Sequence, residues 1–187
     1  MNSRFDIDIT PLPGLHILKR KPIGDSRGYL ERLFCQDELG EFLPGKQIVQ
    51  INQTLTSESG TVRGFHFQHP PYSETKIISC IEGEIFDIAV DLRRTSPTFL
   101  KWHGEILNSD NHKSFLIPDG FAHGFQALSD TCKIMYFHTA PYNPQAEGGL
   151  CPTDPKLAIN WPLPLVNVSD RDTSHSLIDN NFKGVDI

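Results

Sequence analysis

The sequence predicts an all-β fold, a sandwich or barrel of short strands. Two observations carry this expectation. Apolar segments of strand length recur through the middle of the chain with turn signals between them. Fourteen prolines and fourteen glycines in 187 residues interrupt the chain too often for long helices. The clearest strand is 84–92. There Phe86, Ile88, Val90 and Leu92 alternate with Ile85, Asp87, Ala89 and Asp91, a period of two that puts the four apolar residues on one face. Residues 76–81 read as its hairpin partner, joined through Glu82-Gly83-Glu84. Further strands are expected at 49–55, 62–68, 99–107, 114–117, 124–128 and 133–138. Residues 36–42 read as a short helix, and the Pro-, Asn- and Asp-rich tail after Pro141 as loops and short turns. No repeat or low-complexity linker divides the chain. Residues 1–187 are expected to form one domain, with an N-terminal arm and a loop-rich C-terminal tail.

Composition narrows the function. A net charge of −6 argues against a broad nucleic-acid or anionic-membrane surface and leaves room for a small basic pocket holding one phosphorylated ligand. No apolar run approaches the ~20 residues of a membrane helix. Met1-Asn2-Ser3-Arg4-Phe5-Asp6 has no apolar signal-peptide core, so a cytoplasmic protein is expected. Cys35, Cys80, Cys132 and Cys151 are widely spaced, which fits reduced thiols and suggests neither a zinc site nor a redox motif.

Two segments carry chemistry. In Arg63-Gly64-Phe65-His66-Phe67-Gln68, a strand would put His66 and Gln68 on one face and Phe65 and Phe67 on the other. Pro118-Asp119-Gly120-Phe121-Ala122-His123-Gly124-Phe125 resembles the second cupin motif, with its Pro-x-Gly-x-x-His core. Together they imply a cupin-type double-stranded β-helix, or jelly roll, with short peripheral helices. Metal-binding cupins usually have His-x-His followed closely by Glu in the first motif. Here Gln68 replaces the second His, and Glu74 does not fit the usual spacing. Two imidazoles and a neutral amide make a poor divalent site, so neither a metal nor a redox cofactor is expected.

From about Asp25 to Asp172 the chain resembles the dTDP-4-dehydrorhamnose 3,5-epimerases. The resemblance rests on Asp25-Ser26-Arg27-Gly28, Gln50-Ile51-Asn52, the two segments above, and Phe86-Asp87-Ile88-Ala89-Val90-Asp91-Leu92-Arg93. It continues through Ser96-Pro97-Thr98-Phe99, Tyr136, Tyr142, Glu147, Asp154-Pro155, Trp161-Pro162 and Ser169-Asp170-Arg171-Asp172. It implies that His66 is the catalytic base, Asp172 its carboxylate partner and Tyr136 the general acid. It places Lys76 and His123 near the keto oxygen, and Arg27, Arg63 and Arg171 around the diphosphate. Gln50, Asn52 and Glu147 would make further ligand contacts, and Tyr142 would stack on the base. Arg27 would serve a neighbouring subunit's site, which implies a homodimer.

The residue types suit the chemistry. A proton α to a ketone is weakly acidic, and a base of near-neutral pKa suits its removal. A carboxylate on the imidazole's far nitrogen fixes the tautomer. Donors at the keto oxygen stabilise the enolate. Inversion then needs a proton on the opposite face. Taken singly, Tyr136 reads as a core aromatic, Lys76 as a solvated charge, Arg63 as half of an ion pair and Asp172 as an ordinary tail residue. Only the combination lifts them.

The expected activity is inversion of C3, C5 or both in a nucleotide-linked 4-keto-6-deoxy sugar, for deoxysugar or surface-polysaccharide synthesis such as that of dTDP-rhamnose or lipopolysaccharide. The rivals are a nucleotide-sugar 3,4-ketoisomerase, a non-catalytic sugar-binding cupin and a metal-dependent oxygenase or isomerase. Some positions depart from the family pattern. Arg32 stands where the family has Glu, with Glu31 one place early, an offset that sends the side chain to the opposite face. This reverses a charge at an expected ligand contact. Leu100 replaces a common Gly, and Glu74-Thr75 replaces Gln-Ala.

Overall fold

The computed structural model describes residues 3–187. The chain opens with β1 (Phe5–Ile9), β2 (His16–Arg20), β3 (Ile23–Asp25) and β4 (Gly28–Leu30). Helix α1 (Gln36–Leu39) and a 3₁₀ turn (Gly40–Phe42) follow. Then come β5 (Gln50–Thr56), β6 (Val62–Gln68), β7 (Lys76–Glu82), β8 (Glu84–Asp91), β9 (Trp102–Asn108), β10 (Lys113–Ile117), β11 (Phe121–Ala127), β12 (Cys132–His138), β13 (Glu147–Gly149) and α2 (Asp170–Thr173). One sheet has the order β1-β2-β10-β7-β12-β5, a second β13-β6-β11-β8-β9, and β3 with β4 forms a separate ribbon.

The hairpin expected between 76–81 and 84–92 does not form: β7 pairs with β10 and β12 in one sheet and β8 with β11 and β9 in the other. The chain crosses from sheet to sheet at Gly83, whose φ of +77° favours glycine and whose missing Cβ makes room for the Thr131 carbonyl. Between the two large sheets, Ile78, Ile85, Ala89, Phe115, Phe125 and Ile134 form the central core. Two further clusters cover the outer faces. Phe65, Phe67, Ile88, Val90 and Leu92 pack under Leu150, Leu157 and Ile178 of the C-terminal tail. Leu18, Ile77, Leu116 and Phe137 pack with Phe5 and the α1 residue Leu39. Burying each such side chain contributes roughly 1.5–3 kcal/mol before entropy is counted. Strand β8 is therefore buried on both faces. Its apolar row lies beneath the tail, while Asp87, also fully buried, points between the sheets.

The eight expected strands are all present. Their edges shift where turn chemistry decides: β9 starts at Trp102 rather than 99, after a Ser-Pro-Thr turn, and β11 starts at Phe121 rather than 124. The helix expected at 36–42 is one α turn followed by a 3₁₀ turn. Strands β1 to β4 and β13 were not expected. In the tail, Ser169 caps α2 by accepting the Asp172 N–H at 3.1 Å. The four cysteines are unpaired, and Cys80, Cys132 and Cys151 are buried.

Candidate active site

At one end of the sandwich the sheets part around a cavity of about 860 Å³. Strand alternation decides which side chains enter it. On β6, Phe65 and Phe67 go outward under the tail, leaving His66 and Gln68 inward, as the sequence pattern implied. From β11 comes His123. The facing sheet supplies Asn52 and Thr54 from β5, Lys76 from β7, and Tyr136 and His138 from β12. Arg63, Tyr142, Glu147, Arg171 and Asp172 complete the wall.

His66 is held by the tail. Its Nε2 lies 2.8 Å from Asp172 Oδ1, and Asp172 Oδ2 accepts the Gly64 N–H at 3.1 Å. Gly64 has φ of +124°, and a Cβ there would strike the Gly124 backbone. Glycine thus allows the close approach of β6 to β11 beside the dyad. Asp172 fixes the imidazole proton on Nε2, which leaves the Nδ1 lone pair available as a base. Arg171 Nη2 sits 2.7 Å from the same Nε2, donor against donor in this tautomer.

Burial pushes the His66 pKa down, the Asp172 contact pulls it up, and Arg171 and Lys76 push it down again; the net direction is below the ordinary 6.5. Burial works to raise Asp172, but bonds from His66 and Gly64 outweigh it, and the carboxyl stays below its usual range. A catalytic base must be neutral. The acid limb of kcat/KM is therefore expected to lie below pH 6.5, with activity flat above that limb. Asp172→Asn should move the limb lower still, because it removes the contact that raises the imidazole. A pH–rate profile checks this, and a wild-type midpoint at or above 6.5 would contradict it.

Across the cavity, the Tyr136 ring meets His123 edge-on at 6.0 Å. Among the described residues the Tyr136 hydroxyl has one partner, Thr54 Oγ1 at 3.4 Å, and burial raises its pKa. His123 Nε2 contacts Asp87 Oδ1 at 2.7 Å, and burial pushes this carboxyl up, opposed by His123. Lys76 Nζ is 3.1 Å from Glu74 Oε1 and 3.4 Å from the His66 carbonyl. Arg63 bonds Thr56 Oγ1 at 3.1 Å. Tyr142 donates to Glu147 at 3.0 Å, and Arg171 reaches Glu147 at 3.3 Å.

Ten of the twelve expected site residues line this cavity. Gln50 lies beside it, its Oε1 accepting the Tyr142 N–H at 3.0 Å. Arg27 is not brought there. It sits exposed on the β3–β4 ribbon, bound to Asp25 at 2.6 Å. Arg32 also stays outside the cavity and pairs with Glu38, while Glu31 turns to Arg20 at 2.9 Å and His112 at 2.7 Å. The Arg32 charge reversal thus falls on an intrachain ion pair and not on the cavity wall of its own chain. Gln68 spends its amide on backbone: it donates to the Tyr72 and Pro141 carbonyls and accepts the Asn143 N–H.

Sequence reasoning missed Asp87, Thr54 and His138 as site residues, and weighed Glu74 as a metal ligand and as a departure from the family pattern, not as a partner of His138 and Lys76. The signal for Asp87 was an acid on a strand flanked by apolar neighbours on both faces.

The model of the dTDP-4-dehydrorhamnose 3,5-epimerase family matches residues 9–180. A dTDP-4-dehydrorhamnose 3,5-epimerase of Shigella flexneri is 39% identical over 164 residues, covering 87% of this chain and 90% of its own. The crystal structure of dTDP-6-deoxy-D-glucose-3,5-epimerase from Legionella pneumophila, in complex with dTDP-4-keto-L-rhamnose, superposes with a TM-score of 0.90 at 36% identity. It covers 97% of this chain and 98% of its own. A 4-keto-6-deoxy sugar epimerase from the novobiocin cluster of Streptomyces spheroides superposes with a TM-score of 0.87 at 31% identity, covering 95% and 89%.

Proposed function

This chain belongs to the dTDP-4-dehydrorhamnose 3,5-epimerase family, and from that premise we propose how its cavity works. It is an isomerase with a cupin-type jelly roll that epimerises a nucleotide-linked 4-keto-6-deoxy sugar. The observation that carries the mechanism is the placement of His66, backed by Asp172, on one sheet and Tyr136 on the other. His66 Nδ1 takes the proton α to the ketone. Lys76 and His123 stabilise the enolate oxygen, with Asp87 holding the His123 ring. Tyr136 returns a proton to the opposite face. Arg63 and Arg171 meet the diphosphate, Tyr142 stacks on the base, and Asn52, Gln50 and Glu147 make further ligand contacts.

The nucleotide is dTDP on this reading, and the product feeds deoxysugar or surface-polysaccharide synthesis. The enzyme works as a cytoplasmic homodimer. Val49, Ile51 and Leu55 are exposed along the free edge at β5, and Ile23, Tyr29 and Leu30 on the β3–β4 ribbon. Arg27, idle in its own chain, would then reach the partner's site. A single-chain mass in light scattering would refute the dimer.

The test of the activity is exchange from heavy water. Incubated with a panel of 4-keto nucleotide sugars, the protein should place deuterium at C3, C5 or both and invert the labelled centre. A carbonyl moved to C3 would instead mark a 3,4-ketoisomerase, and binding without exchange a non-catalytic protein. Because Gln68 is committed to backbone groups, a chelator should leave turnover within about twofold of normal. Loss restored by one divalent metal would defeat the metal-free mechanism.

A further inference from the structure

Beside the pairs of His66 with Asp172 and His123 with Asp87, the cavity contains a third imidazole–carboxylate pair, on the opposite sheet. His138, on β12, is nine-tenths buried, and its Nδ1 lies 2.7 Å from Glu74 Oε2. The other Glu74 oxygen lies 3.1 Å from Lys76 Nζ. Burial works to raise the Glu74 pKa, but His138 and Lys76 outweigh it, and the carboxyl is held below its usual range and ionised. The His138 ring lies parallel to the Tyr136 ring, at 6.0 Å and 6°. Its free Nε2 faces Asn52 Nδ2 at 3.5 Å, on the cavity wall.

This repeats the logic of the His66 dyad: one ring nitrogen anchored on a carboxylate, the other left to the cavity. We propose that His138, held by Glu74, is a second proton-transfer residue, acting on the sugar face that Tyr136 addresses. The proposal rests on the epimerase reading. In the step, the Nε2–H bond of the His138 imidazolium breaks and its electron pair stays on nitrogen. The enolate's C=C pair forms the new C–H bond, and an oxygen lone pair restores the carbonyl. Water then returns a proton to Nε2, and the hydroxide this leaves takes up the proton that His66 removed, so both rings regain their starting states.

The chemistry favours such a group beside Tyr136. A buried tyrosine that gives up its proton leaves a phenolate with, among the described residues, only the Thr54 hydroxyl for a partner. An imidazolium that gives up its proton leaves a neutral ring still donating to Glu74, and the Asn52 N–H is placed to satisfy the freed lone pair.

The test compares wild type, Tyr136→Phe, His138→Phe, the double variant and Tyr136→Phe/Glu74→Gln, by NMR of label and configuration in heavy water. Phenylalanine at 138 keeps a ring against residue 136. Tyr136→Phe should retain a residue of inversion, roughly 1% of normal. Adding His138→Phe should cut that residue by a further factor of about ten or more, while exchange with retained configuration through His66 stays within about threefold. Adding Glu74→Gln instead should cut it by a smaller factor, since an amide does not stabilise the imidazolium. Preserved exchange in the double variant is itself the proof that the site is folded. Inversion undiminished in the double variant would overturn the proposal, as would exchange and inversion falling together. No exchange in wild type would overturn the epimerase reading beneath it.

Discussion

His66→Ala is expected to abolish solvent deuterium incorporation at every centre the wild type exchanges, a loss of roughly 10²–10⁴-fold or more. His66 has the two properties a base here requires: a lone pair left on Nδ1 by the Asp172 contact at Nε2, and a pKa that burial directs below the ordinary 6.5. Tyr136 is driven up by burial, and Lys76 donates to Glu74 and the His66 carbonyl, so neither offers a ready base. The ring is partly open to solvent, with 27% of its side chain exposed, so its loss should not collapse the sheet. The measurement is an NMR time course on the variant, with circular dichroism to verify the fold. Near-normal exchange would remove His66 from the mechanism and turn attention to His138.

Tyr136→Phe is expected to separate exchange from inversion. The substitution deletes one hydroxyl whose single bond, to Thr54, is long at 3.4 Å, and keeps the ring contacts with His123 and His138. His66 still takes a proton and returns a solvent-derived one to the same face. Lys76 and His123 still hold the enolate. Deuterium should therefore enter with retained configuration, while inverted product falls by about 10²-fold. The check follows label and stereochemistry together. Equal falls in both would mean that the hydroxyl takes part in enolisation. No fall would make Tyr136 a packing residue.

Much of this site was legible because β-structure writes its faces in alternation. The pattern at 62–68 separated His66 and Gln68 from Phe65 and Phe67, and the structure buries the two phenylalanines under the tail. Strand alternation likewise puts Tyr136 and His138 on one face of β12, and both line the cavity. What alternation cannot show is which strand lies opposite. His138 acquires meaning only because the strand pairing sets it beside Lys76 and brings Glu74 within 2.7 Å. Asp87 looked like the polar half of a one-sided strand, although Ile85 and Ala89, which share its face, are apolar and buried with it. Strands β3 and β4 were missed because they form a short, exposed ribbon with little apolar pattern. The ion pair of Arg32 with Glu38 depends on a chain reversal that no local signal specifies. The role of Asp172 came from resemblance alone. In a polar tail, one aspartate looks like another until the tail docks.

That docking has a thermal consequence. The contact between His66 and Asp172 joins residues 106 positions apart, and the segment carrying Asp172 rides on a tail attached to the outer face of the β6–β8 sheet through Leu157, Trp161 and Ile178. Peripheral segments open at lower free energy than the sheets they cover. On warming, the tail should lift while the strands remain paired, and with it goes the carboxylate that sets the imidazole. Catalysis would then fail at a temperature below the unfolding transition of the sheets. On this expectation the upper working temperature follows how firmly the last loops adhere rather than the strength of the paired sheets, and activity measured beside circular dichroism on warming checks it.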